Sequence, residues 1–385
     1  MGSRVCLGAC DGIKFHGVNS YNLVTAKVKF PSLPKKWGRH QRPALGLDIG
    51  SHSIKIVELA NSNTTRTIRC IGRALVPPRA IVDGSIKEPD KIAGVLRALL
   101  ANLRPKIRQA AISIAGYSVI VKKIIVPYQD EEEIERNLIF EAEKYVPFEI
   151  EDVYVDFCML NREHEKDSST EIYLVAAKRE IVDEYATLIQ EAGLSPAVVD
   201  VDAFALGNAF EGAFGLVAEP VVLVDIGAQK TNLNIILQGT SLFARDMAFG
   251  GEQLTEAVQE ATGLEYADAE RIKIAGSEDA EIMKEVTQVY RELCSIWAAE
   301  IKKAIDFHKA GSSAEEYPEQ LYVSGGSAFL KGLAGLFENT IGLPVKTLNP
   351  LHGFTAGHGI EPEYTSAVAP QMAIATGLAL RTWTK

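Results

Sequence analysis

The strongest constraint in this sequence is a turn written twice. Residues 44–60 read ALGLDIGSHSIKIVELA and residues 220–237 read PVVLVDIGAQKTNLNIIL: an apolar strand, Asp-Ile-Gly, a few polar residues, and a second apolar strand. One D-x-G turn is ordinary, because Asp bonds its own backbone and Gly accepts the turn's dihedrals. Two of them at matching places, each opening a run of three strand-like segments, imply an internal repeat. Such a chain folds as two similar α/β halves, and facing halves bring the turns together at a cleft, the usual place for a ligand.

The residues around the turns suit a polyphosphate. Glycine at 50 and 227 lets backbone N–H groups approach phosphate oxygens that a Cβ would hold off. Asp48 and Asp225 would repel phosphate directly, so their chemistry points to the hydration shell of Mg2+, an ion that prefers carboxylate and water. Lys55 and the hydroxyls of Ser51 and Thr231 complete the set as donors to phosphate oxygens. Other nucleotide signatures are absent: there is no GxxxxGK[ST], and GHGIEP from Gly357 lacks a preceding strand and a third glycine.

Composition agrees with a large folded body. The 385 residues are 47% apolar and 23% charged, enough for a sizeable core. A long uncharged run, Thr365–Leu380, is 16 residues with Pro370 inside it, short of the ~20 that span a bilayer, and reads as a buried helix. The five cysteines make no CxxC pair, and the seven histidines make no ligand pattern. Residues 1–43 hold eight Lys/Arg and one acid, against a net charge of −10 for the whole chain. They read as a basic extension, solvated or touching anionic surfaces, with too few consecutive apolar residues for a secretion signal.

Periodicity sets out the rest. Residues 88–103 carry an apolar stripe at Ile92, Val95, Leu96, Leu99 and Leu103, hence a helix. QDEEEIERNLIFEAEKYV places acids at the positive end of a second helix that stops before Pro147. Helices are also expected at about 251–262, 265–275 and 281–309, followed by a strand and a Gly-Gly turn at LYVSGG. The domain expectation is a first half from 44–126 and 171–218, a small subdomain inserted at 127–170, a second half at 219–364, and a closing helix at 365–385 that returns to the first half.

These motifs in this order resemble the ATPases of the actin, sugar kinase and DnaK-type superfamily. GLDIGSHSIKIVEL is similar to the first phosphate loop, with Lys55 seven residues after Asp48, and LVDIGAQKTNL to the second. LYVSGGSAFLKGL resembles the adenosine motif, which implicates Gly325, Gly326 and Ser327; AERIK resembles a helix that reaches the adenosine and implicates Glu270 and Lys273. The chain departs from the pattern at Gln229, where the second loop often has another glycine, and this argues against fast hydrolysis. Within the superfamily, residues 44–385 resemble the PilM family of type IV pilus assembly, an FtsA-like branch, through the inserted segment, EAGLSPAVVDVDAFAL, MAFGGEQLTEAV and MAIATGLALR.

The resemblance implies an actin-like fold that binds ATP with Mg2+. It also implies a cytoplasmic scaffold at the inner membrane that recruits the short N-terminal peptide of a PilN-like membrane protein alongside other pilus platform proteins. No nucleic acid partner and no membrane span of its own are expected. Ile134, Leu138 and Tyr145, at helical spacing in the insertion, are the expected peptide contacts. Asp202 has two readings, a water-orienting residue for slow hydrolysis or an N-cap for the helix after it. Glu270 and Lys273, one turn apart, read as adenosine contacts or as a surface ion pair. Two other functions share the fold: an FtsA-like cell-division protein, which would need an amphipathic tail beyond LALRTWTK, and a sugar or metabolite kinase, which would need a catalytic base and sugar loop not found here.

Overall fold

The computed structural model describes residues 42–61, 66–160 and 169–383; residues 1–41 of the basic extension and most of the polar loop after Leu160 lie outside them. The first half opens with β1 (Leu45–Ile49), β2 (Ser53–Asn61) and β3 (Arg66–Leu75), an antiparallel meander. Helix α1 (Pro89–Leu103) follows, with Ile92, Leu96 and Leu99 of its stripe buried and Val95 and Leu103 packed at the edge. It delivers β4 (Gln109–Ile114) parallel to β1.

The insertion differs in extent from the sequence expectation. Strands β5 (Val119–Val126), β6 (Val153–Met159) and β7 (Thr170–Lys178) form their own antiparallel sheet in the order β5-β7-β6, with α2 (Glu131–Ala142) against it. The flanking strands assigned from sequence to the first half therefore belong to the subdomain. Periodicity identifies a strand but not the sheet it joins; that depends on which edge its amides find.

The chain returns to the first half through α3 (Arg179–Glu191) and β8 (Ser195–Val201), which lies parallel to β4, and then α4 (Asp202–Phe214) leads out of it. The second half repeats the opening: β9 (Val221–Ile226), β10 (Thr231–Leu237) and β11 (Thr240–Met247) form a meander. Helices α5 (Gly251–Thr262), α6 (Tyr266–Ala275) and α7 (Ala280–Ala310) follow, then β12 (Gln320–Ser324), α8 (Leu333–Ile341) and β13 (Val345–Thr347). The two large sheets run β8-β4-β1-β2-β3, edged by the short strand Thr355–Ala356, and β11-β10-β9-β12-β13. In both, the strand that carries the aspartate has a meander on one side and a parallel neighbour on the other.

The uncharged run near the C-terminus is buried only from Val368 onward, with Ser366 and Ala367 exposed, and it is not one helix. It divides into α9 (Pro362–Val368), a 3-10 turn at Ala369–Met372 containing Pro370, and α10 (Ala373–Ala379). A proline nitrogen cannot donate to the helical ladder and its ring crowds the preceding turn. Helix α10 packs under the first sheet and across α4, with Ile374 and Leu378 beside Leu206 and Phe210. At that crossing a Cβ on Gly377 would lie 1.7 Å from the Ala205 carbonyl oxygen, so the backbones meet only because position 377 has no side chain.

Candidate functional site

The repeated topology brings the two Asp-Ile-Gly turns to the same ends of facing sheets. Asp48, near the end of β1, stands opposite Lys55 on β2, and Lys55 Nζ donates to Asp48 Oδ2 at 2.8 Å. The turn closes through Gly50 N–H to the Ser53 carbonyl at 3.2 Å. A Cβ on Gly50 would come 3.4 Å from Lys55 Nζ, narrowing the cradle beside that ammonium. In the second turn Gly227 N–H donates to the Lys230 carbonyl at 3.0 Å. Asp225 is buried, and Ser324 on the parallel strand β12 donates to its Oδ1 at 2.7 Å. Burial pushes its carboxyl up to about 7; the Asp48 and Asp202 carboxylates push the same way, against Ser324 and Lys55.

The Gly-Gly turn before α5 locks the second loop in place. Gly251 N–H donates to the Gly227 carbonyl at 2.9 Å and Glu252 N–H to that of Ala228 at 2.8 Å. Lys273 Nζ reaches the Gly251 carbonyl at 3.0 Å, Thr255 Oγ1 at 2.8 Å and Glu270 Oε2 at 2.6 Å. The Lys273 side chain is only 8% exposed, so the Glu270–Lys273 pair is an internal brace between α5 and α6 and not a surface ion pair. Glu270 is held below the usual carboxylate range: burial opposes ionisation, but Lys273 and the Thr255 hydroxyl outweigh it. His52 of the first turn is partly buried; desolvation lowers its pKa, Lys273, Lys55 and Arg73 add to this, and Glu270 opposes it. Glu270 and Lys273 thus act electrostatically on His52 of the first loop.

The structure brings Asp48, Gly50, Ser51, Lys55, Asp225, Gly227, Glu270, Lys273, Gly325 and Gly326 to the surroundings of this cleft, and corrects four expectations. Thr231 has no exposed surface, and its hydroxyl donates inward to the Phe249 carbonyl at 2.9 Å, so it is not a phosphate donor. Its position next to the turn suggested otherwise, but it begins β10 with its side chain on the core face. Ser327 is also buried, beneath Gly251, where an added Cβ would lie 2.8 Å from its Oγ. Gly325 takes φ +86 against the Ile226 backbone, whereas Gly326 borders open space.

Asp202 is the third. It is the first residue of α4 and makes no N-cap bond. Its carboxylate accepts from Lys230 Nζ at 2.8 Å and from Asn232 Nδ2 at 3.3 Å, both on the second half. Burial would raise its pKa, yet Lys230 and the Ser113 hydroxyl hold it below the usual value. The fourth concerns the partner face. Ile134 and Leu138 are 1% and 2% exposed, inside the subdomain's own core, and Tyr145 packs at its edge under Lys122. An amphipathic stripe does not say what it will cover, and here it covers β5, β6 and β7.

Sequence reading missed a cavity of about 650 Å³ where the first half, the insertion and β11 of the second half meet. Tyr117, Val121, Phe148 and Lys178 form its subdomain side, and Ser51 and Lys230 reach it from the two loops. Tyr117, at its rim, is 79% exposed. Contacts across the halves border it: Gln229 accepts from Asp83 N–H at 3.2 Å and donates to the Ile81 carbonyl at 3.4 Å, and Asp246 accepts from Gly116 N–H. The only sequence signal for these contacts was Gln229 standing where a glycine was expected.

Comparison with known proteins matches this arrangement. The family model described as type IV pilus assembly protein PilM matches residues 46–383. The chain belongs to the PilM family. A solved PilM-PilN type IV pilus biogenesis complex is similar at 28% identity, covering 88% of this chain and 98% of that one with a TM-score of 0.76. The ethanolamine utilization protein EutJ from Carboxydothermus hydrogenoformans is similar at 16% identity, with 90% of each chain covered and a TM-score of 0.53, a likeness of fold. This PilM-family chain therefore has the actin-like architecture expected of it, as a component of type IV pilus assembly. Among the described residues no helix is long and apolar enough to cross a membrane.

Proposed function

We propose that this chain is an ATP-binding scaffold of the pilus assembly platform, held at the cytoplasmic face of the inner membrane by recruiting a short peptide of a PilN-like membrane protein. The observation that carries the reading is the cavity where the insertion, the first half and β11 of the second half meet, with Tyr117 at its rim and Val121 and Phe148 in its wall. A groove of mixed apolar and charged lining suits a short segment whose side chains fill it while its backbone finds polar partners. The solved relative is itself a PilM-PilN complex, which supports the partner class. The peptide contacts are thus moved from the buried α2 stripe to the cavity wall.

Nucleotide binding belongs to the two loops, whose Ser51 and Lys230 also line this cavity. Among the described residues no group of three or more His, Cys, Asp or Glu side chains forms a metal site. Asp48 and Asp225 nevertheless fit a hydrated Mg2+ that arrives with a polyphosphate: Asp225 is a buried carboxyl pushed up to about 7 by burial and by Asp48, a state that a nearby cation would relieve. When bound, the ion would neutralise phosphate oxygens that two aspartates would otherwise repel. The chain's own contribution is the close approach that Gly50 and Gly227 allow, their N–H groups being used inside the turns, and the Lys55 ammonium beside Asp48. With Asp202 tied to Lys230, turnover is slow at most.

The test is titration of the partner's cytoplasmic peptide into wild type, Val121→Asp and Tyr117→Ala, with folding verified by circular dichroism. Val121→Asp places a charge in the apolar wall and is expected to weaken binding by about tenfold or more, the order of one buried unpaired polar group. Wild-type affinity in both variants would remove the cavity from the interface.

A further inference from the structure

The second phosphate loop of this chain ends in a lysine whose destination the sequence did not reveal. Lys230 spans the two halves: its ammonium lies 2.8 Å from Asp202 Oδ2 at the start of α4, with Asp246 of β11 also facing it. Burial alone would lower its pKa, but the charges of Asp202 and Asp246 and the hydrogen bond to Asp202 raise it, so it is a cation across the whole physiological range. The same side chain lines a second, small cavity of about 30 Å³ together with Asp48 and Gly50 of the first loop, Ser113 and Asp202. A cation thus borders the space between the two loops, and its present partner is a carboxylate rather than a backbone group.

We infer that Lys230 senses the terminal phosphate of the nucleotide. This rests on the nucleotide reading above. With a diphosphate in the cleft the ammonium stays on Asp202. A triphosphate brings a further anionic group between the loops that competes for the same ammonium, and Asp202 keeps its bonds from Asn232 and Ser113. The exchange is one charge-assisted contact for another, so the gain falls on the triphosphate alone. Lys230 then sets the preference for ATP over ADP, whereas Lys55, already beside Asp48 in the first loop, serves both.

Calorimetric titration of Mg-ATP and of Mg-ADP against wild type, Lys230→Met and Lys230→Arg tests this. The expected result is a wild-type preference for ATP that Lys230→Met reduces by about tenfold, the worth of one charge-assisted hydrogen bond, with ADP affinity retained within about twofold. Lys230→Arg should restore most of the preference. Because Lys230→Met leaves a buried carboxylate without its cation, the paired variant Asp202→Asn/Lys230→Met is measured too, and it should show the same loss. An unchanged ATP-to-ADP ratio, or equal weakening of both nucleotides, would overturn the sensor role while leaving nucleotide binding intact. Failure of wild type to bind either nucleotide would overturn the nucleotide reading and the inference with it.

Discussion

Asp225→Asn isolates the electrostatic design of the cleft. Asparagine keeps the shape and leaves an oxygen to accept from Ser324 Oγ, now 2.7 Å from Asp225 Oδ1, but removes the ionisable group. In wild type the carboxyl is raised from 3.8 to about 7, chiefly by burial. A carboxyl whose folded pKa is raised stabilises the fold when protonated; that contribution is complete below the unfolded pKa and is lost as pH rises toward the folded one. At about 1.4 kcal/mol per pH unit the full span is on the order of 4 kcal/mol, of which about 2.5 kcal/mol falls between pH 5 and pH 8. Urea unfolding of the nucleotide-free protein at pH 5, 6, 7 and 8 should therefore show wild type losing about 2.5 kcal/mol more than Asp225→Asn over that range. Comparing the two cancels other titrating groups, including Glu211, which burial also raises to about 7. Linkage gives the reciprocal effect on the ligand: Mg-nucleotide affinity of wild type should rise through pH 7, and that of Asp225→Asn should be lower and flatter. Parallel stability curves would refute the claim that Asp225 is a strained, buried acid awaiting a cation.

Further substitutions separate fold from site. Leu138→Asp buries a charge in the subdomain core and should cost about 3 kcal/mol or more, read as early proteolytic cleavage of the insertion while the rest of the chain resists; intact resistance would contradict the burial of the α2 stripe. Gly377→Ala sets a methyl 1.7 Å from the Ala205 carbonyl oxygen and should destabilise by about 1–3 kcal/mol through separation of α10 from α4, seen as a lower thermal midpoint. Gly325→Ala and Gly326→Ala should diverge. The first, at φ +86 against Ile226, lowers stability, and the second, bordering open space, leaves stability within about 0.5 kcal/mol and acts only on nucleotide affinity. Equal stabilities of the two glycine variants would remove the distinction drawn between them.

Local chemistry determined the parts of this protein that repeat or alternate. The two Asp-Ile-Gly turns, the meanders they open, the stripe of α1 and the helices from Gly251 to Ala310 all follow from short-range pattern, because strand alternation and helical period are read within a dozen residues. The pairing of Asp48 with Lys55, a lysine that sequence reads only as a phosphate donor, appears with the hairpin register. Tertiary structure decided what each polar or apolar face would meet. Thr231 turned its hydroxyl to Phe249, Ser327 went under Gly251, and Ile134 and Leu138 filled their own subdomain. The cavity at Tyr117 and the ion pair of Lys230 with Asp202 join residues from separate halves of the chain. Sequence fixes which residues can be buried or charged; only packing fixes their partners, since a hydrophobic stripe is non-directional and an ammonium takes whichever carboxylate the folded backbone brings within reach.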